Sequence, residues 1–163
     1  MANVPLTPVS DLLPQVQHVL AHVQAKLNQF LPGVEIEHVG ATSMPGALTK
    51  GDVDIMVRVS PAAFQGAIEI LRAHFNIKQP TNWTRNFASF GDDSGYDLPL
   101  GIQLVTTEPD ADFLIYLRDY LVSNPGELAA YNRLKVQYAK EGPDAYWEAK
   151  NSFLSAILAS RSP

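Results

Sequence analysis

The chain contains no cysteine, which removes disulfides and thiolate-ligated metals from consideration and leaves the redox compartment open. It has no apolar run near the ~20 residues needed to span a bilayer. The opening Met-Ala-Asn-Val-Pro-Leu-Thr-Pro lacks the basic and apolar regions of a secretory signal, so a cytoplasmic protein is expected. Positive charge is also scarce. Twelve Lys+Arg against 17 Asp+Glu give a net charge of −5, with no basic stripe for general nucleic-acid binding. A small phosphorylated ligand remains compatible, because local fields need not follow net charge. Internal repeats and low-complexity segments are absent.

What is present is an ordinary globular balance, 46% apolar and 18% charged over 163 residues, expected to form one domain over 1–163. Residues 8–31 carry apolar positions near the 3.6-residue period, from Leu12 to Phe30, and predict a helix ended by Pro32-Gly33. Val34–Val39 reads as a strand and Asp52–Val59 as a second, apolar enough for burial on both faces. Ser60-Pro61 then supplies an N-cap and a helix-starting proline. Strands are expected at 84–90 and 98–107, and helices at 110–123, 125–141 and 143–160. The order predicts an α+β fold: a mixed sheet flanked by helices, with a helical C-terminal third.

The functional content concentrates in residues 36–59. An apolar strand runs into Gly40-Ala41-Thr42-Ser43, then a loop bearing Lys50, then a strand that opens Asp52-Val53-Asp54. Carboxylates at i and i+2 of a strand share a face, about 6–7 Å apart from Cα to Cα. Such a pair suits Mg²⁺, a hard cation held by one or two carboxylates plus substrate phosphates. Backbone N–H groups and hydroxyls of the small-residue loop can meet those phosphates. Without such a role, the pair is a set of solvent-facing strand-end residues.

This constellation resembles the nucleotidyltransferase (polymerase-beta-like) superfamily and, more narrowly, the GrpB family. Several stretches carry the resemblance: Glu37-His38-Val39-Gly40 through Thr42, Ser43, Pro45-Gly46 and Lys50, then Asp54-Ile55, Arg118-Asp119-Tyr120-Leu121, the Leu128–Lys135 segment, and Tyr146, Glu148-Ala149-Lys150 and Phe153. It spans residues 34 to 158. It implies a nucleotidyltransferase-like fold and Mg²⁺-dependent transfer of a nucleotidyl group from a nucleoside triphosphate to an unidentified acceptor. Asp52 and Asp54 would hold the metal and do the catalytic work. Gly40, Thr42 and Ser43 would cradle the phosphates, with Lys50, His38, Arg118 and Lys150 as further contacts.

The chain also departs from the family. Ala41 stands where serine is usual, Asp52 where many members have an apolar residue, and Gly101-Ile102-Gln103 where the family tends to have His-Leu-His. Active nucleotidyltransferases of the wider superfamily often place a third carboxylate on a neighbouring strand; Gln103 is no general base, and Asp97, before that strand, or Glu108, after it, is the candidate substitute. The alternative is a non-catalytic nucleotide-binding or protein-interaction module of the same fold. Other residues keep two readings. Glu37 reads as a structural salt-bridge partner. Arg85 is a phosphate contact or a surface charge. Trp83, Tyr96 and Trp147 are base-stacking or core aromatics. His18 and His22 have the i, i+4 spacing of a zinc pair but no third ligand motif, and read as polar helix residues.

Overall fold

The computed structural model describes residues 3–161. Its elements in chain order are β1 (Thr7–Pro8), α1 (Leu13–Phe30), β2 (Glu35–Val39), β3 (Leu48–Thr49), β4 (Val53–Val59), α2 (Pro61–His74), β5 (Asn76–Lys78), β6 (Phe87–Asp92), β7 (Leu100–Thr106), α3 (Phe113–Ser123), α4 (Pro125–Ala139) and α5 (Pro143–Ala159). None of these helices is long and apolar enough to cross a membrane.

The main sheet has five strands in the order β2-β4-β7-β6-β5. Only the central β4–β7 pair is parallel; the other pairings are antiparallel. A parallel pair needs a crossover, and α2 supplies it. Proline sits in the first turn of α1, α2, α4 and α5, where its missing N–H costs nothing. The exception is α3, which starts at Phe113. Ser60 caps α2 by accepting from Ala63 N at 3.3 Å.

Because side chains alternate across the pleat, the sheet has two separate packing layers. One face carries Val53, Ile55, Val57, Phe90, Ile102 and Leu104, buried beneath Val19, Val23 and Leu27 of α1 and Phe64, Ile68 and Leu71 of α2. The opposite face carries Val39, Met56 and Val105, covered by Ala111, Leu114 and Ile115 at the start of α3. A third cluster joins Met44 and Ala47 of the loop after β2 to Leu117, Leu121, Leu128, Tyr131 and Ile157. That cluster holds the C-terminal helices over one end of the sheet.

Four local expectations are corrected. The first α-helix begins at Leu13 rather than residue 8, because Thr7–Pro8 pairs with Leu48–Thr49 as a separate two-stranded sheet and Val9–Leu12 form a tighter 3-10 turn ahead of it. Leu13 itself turns outward, 45% exposed. The strand expected at 84–90 runs over Phe87–Asp92, since Thr84 closes a tight turn with Phe87 and its Oγ1 accepts from Asn86 N. Asn76–Lys78 adds an unexpected edge strand. Met1 and Ala2, on which the reading of the N-terminal sequence bears, and Ser162 and Pro163 lie outside the described residues.

Candidate functional site

Asp54 opens β4, opposite Val39 of β2 and Gly101 of β7. Its side chain therefore emerges on the α3 face of the sheet, between two glycines. A Cβ on Gly40 would lie 2.6 Å from Asp54 Oδ2, and one on Gly101 would lie 2.5 Å from Asp54 Oδ1. Those separations are far inside van der Waals contact, so both positions must lack a side chain for the carboxylate to sit there. Gly40 also has φ of +76°, a conformation that L side chains rarely adopt. Burial, and then the neighbouring Asp52 carboxylate, push the Asp54 carboxyl up to about 6; Lys150, the Gln103 amide and Lys50 pull the other way. Asp52 precedes the strand, with its Oδ2 4.0 Å from Lys50 Nζ.

The facing wall comes from the C-terminal helices. Arg118 and Leu117 of α3, Tyr131 and Lys135 of α4, and Tyr146 and Lys150 of α5 enclose, with the two aspartates, a cleft of about 330 Å³. Lys150 Nζ lies 5.2 Å from the Tyr146 ring centroid. Its ammonium is held below the usual lysine range by burial and then by Lys50, against the pull of Asp54 and Asp52. Burial, then Lys150, brings Lys135 down to about 7. Burial, then Asp52, raises the Tyr146 hydroxyl to about 12. Trp147, 49% exposed, stands at the rim.

Six of the residues expected at the site line this one cleft: Gly40, Lys50, Asp52, Asp54, Arg118 and Lys150. Three do not. His38, Thr42 and Ser43 line a separate groove against the start of α1. The physical cause is the tight turn at Ala41–Ser43. It folds the Ser43 hydroxyl back to donate to Gly40 O at 2.5 Å, and sets Thr42 Oγ1 2.9 Å from His38 Nε2. His38 alternates to the sheet face opposite Asp54, where burial and then Arg118 lower its imidazole to about 4. Phosphate cradling by the Thr42 and Ser43 hydroxyls is therefore not what this loop offers the cleft.

Arg118 lines the cleft with most of its donors engaged. Nη1 donates to Glu37 Oε2 at 2.7 Å and to His38 O at 2.9 Å, and Nε donates to Asp119 Oδ1 at 2.9 Å. Glu37 is thus the salt-bridge partner its sequence position implied. Neither acid considered as a third carboxylate reaches the cleft. Asp97 pairs with His18 Nδ1 at 2.6 Å, and Glu108 lies beyond the far end of β7, where its backbone carbonyl accepts from Arg58. The β7 residues beside Asp54 on its face are Gly101 and Gln103, and Gln103 Oε1 is buried without a hydrogen-bond partner. Among the described residues no group of three histidines or carboxylates is arranged to hold a metal. Trp83 and Tyr96 pack on the core, and Arg85 is exposed elsewhere.

The cleft also contains residues that sequence reasoning gave no site role: Tyr131, Lys135 and Tyr146. A signal existed for Lys135. It falls on the same helical stripe as Leu128, Tyr131 and Ala139, so a charged group stands in an apolar row.

Comparison with known proteins follows the same lines. A UPF0157 protein of Vibrio cholerae is 31% identical over 136 residues, covering 83% of this chain and 71% of that protein. One from Pseudomonas aeruginosa is 27% identical, over 87% of this chain and 62% of the relative. The crystal structure of the conserved protein GrpB from Enterococcus faecalis superposes with a TM-score of 0.64 at 18% identity, covering 89% of this chain and 96% of that one. The Cid1 poly(U) polymerase, in a structure with MgGTP bound, superposes at 0.55 with 15% identity, over 80% of this chain and 42% of the polymerase. At those identities the structural likeness speaks for the fold, which is that of nucleotidyltransferases. The GrpB protein family model matches residues 8–160, so the chain belongs to the GrpB family.

Proposed function

We propose that the cleft binds a nucleoside triphosphate together with Mg²⁺ and transfers its nucleotidyl group to a small acceptor. The observation that carries this reading is the pair of carboxylates at the start of β4, with Lys50 beside them and Lys150 across the cleft. The donor set fits the cation. Asp54 and Asp52 are hard oxygen ligands that repel one another, and a divalent ion between them and the phosphates would relieve that repulsion. Bound there, Mg²⁺ would neutralise phosphate charge during an in-line displacement.

The chain's own residues account for the rest. Lys50 and Lys150 are point charges for the phosphate oxygens. Leu114, Leu117 and Leu121 of α3 supply the apolar part of the wall. Trp147 at the rim offers a π-face for the base. The MgGTP-bound structure of the polymerase with this fold supports a nucleotide as the ligand.

A second reading, a nucleotide-binding module without chemistry, is favoured by one observation: Gly101 and Gln103 occupy the β7 positions beside Asp54, and neither is an acid. Titration calorimetry with the four common nucleoside triphosphates, with and without Mg²⁺, tests the shared part. Heats unchanged by an Asp52→Ala/Asp54→Ala double substitution would sink the site. Release of pyrophosphate from labelled nucleotide in the presence of candidate acceptors supports transfer, and its absence from a protein that binds nucleotide supports the module.

A further inference from the structure

Helix α4 holds the cleft's loop with two polar side chains, Lys135 in the cleft wall and Asn132 outside it in a groove beside Leu48, and neither is needed for the metal–phosphate reading. Lys135 is 1% exposed, and its Nζ donates to the backbone carbonyl of Leu48 while lying 4.5 Å from the Tyr131 ring centroid. One turn earlier, Asn132 Oδ1 accepts from Leu48 N at 2.9 Å, and its Nδ2 donates to Gly46 O at 2.9 Å. Three side-chain bonds thus run from one helix to two residues of the loop and β3, Gly46 and Leu48. Both polar backbone groups of Leu48 are satisfied by them.

The same segment is held on its other side by the N-terminal strand. Thr7 pairs with Thr49, Pro8 with Leu48, and Val9 N donates to Ala47 O at 3.0 Å. Just beyond, Gly51 N donates to Thr49 Oγ1 at 3.0 Å. Lys50 sits between these fixed points and is itself exposed. A long flexible side chain at such a place is positioned by its backbone, since no packing constrains it.

Burying an ammonium is expensive, and an apolar side chain of similar length could fill the same volume. Such a side chain could not bond to Leu48 O. The lysine therefore has a use that packing alone does not provide.

We propose that Asn132 and Lys135 are positioning residues of the cleft: from α4 they fix the backbone of residues 46–48 and so set where Lys50 meets a bound phosphate. The proposal rests on the reading of Lys50 as a phosphate contact.

A double-mutant cycle separates this role from a merely structural one. The probe is inorganic triphosphate with Mg²⁺, titrated by calorimetry into the full chain. Lys135→Met and Asn132→Ala should each weaken binding about tenfold, a coupling typical of residues within one network. In a Lys50→Ala background both losses should shrink below about twofold, because the loop's position then no longer matters. Equal losses in both backgrounds, or no loss in either, would overturn the proposal while leaving the cleft reading intact. If wild type fails to bind the probe, or Lys50→Ala leaves its affinity unchanged, the underlying reading falls and the proposal with it. Asn132→Ala keeps the buried lysine in place, so the cycle stands even if Lys135→Met does not fold.

Discussion

Replacing Asp54 with asparagine should stabilise the ligand-free protein at neutral pH, against the usual direction of a substitution. The folded carboxyl titrates at about 6, against 3.8 for the free group. Between those values the native state holds a proton that the unfolded chain has released. Stability therefore falls as pH rises through this window, and above about pH 7 the whole penalty is present. At about 1.4 kcal/mol per pKa unit the cost is at most about 3 kcal/mol. Partial solvation of a half-buried group brings it to about 2 kcal/mol. Asparagine has nearly the same shape and no charge. For a chain of this size the gain corresponds to roughly 4–8 °C in Tm. Thermal denaturation by circular dichroism from pH 4 to pH 8 measures it: the variant should melt higher at pH 7.5 and together with wild type near pH 4. With saturating Mg²⁺ and nucleotide the order should reverse, because ligand stabilises only the protein that binds it. A variant less stable at pH 7.5 without ligand, or a difference independent of pH, would refute the account of Asp54 as a strained, metal-ready carboxylate.

Two other substitutions separate the site from its supports. Gly101→Ala forces the Asp54 carboxylate to move by about 1 Å and should weaken Mg²⁺-dependent nucleotide binding about a hundredfold. The overpacking itself costs about 1–3 kcal/mol in the denaturant midpoint; affinity within twofold of wild type contradicts the cradle. Arg118→Ala removes the bonds from α3 to Glu37 and His38 O and should cost about 2 kcal/mol of stability. Nucleotide affinity of the folded variant should change less than about threefold, and a collapse of affinity at unchanged Tm would instead make Arg118 a ligand contact.

The long elements were legible in the sequence because one signal dominated each. The apolar run from Val53 to Val59, the Ser60-Pro61 cap and the prolines opening α4 and α5 needed no tertiary information. The short strands were not legible. Thr7–Pro8, Leu48–Thr49 and Asn76–Lys78 are two or three residues long and exist only because a partner strand lies beside them. The aspartate pair and Lys50 were readable as a motif, and Lys150 only through the family resemblance. The direction of the Thr42 and Ser43 hydroxyls was not, because it depends on one tight turn after Gly40. Sequence spacing also could not show that Gly101 makes room for Asp54, a fact of register between strands nearly fifty residues apart.

The cleft draws on the first half of the chain for its acids and on the last helix for Lys150. Without α5 the cleft loses Tyr146, Trp147 and Lys150, and without α4 it loses Tyr131 and Lys135. In any partly unfolded state in which the C-terminal helices have undocked, the paired carboxylates would keep Lys50 beside them but lose Lys150 and Lys135. A phosphorylated ligand held between the two halves would tie α5 to the sheet, so saturating ligand should slow the local release of α5.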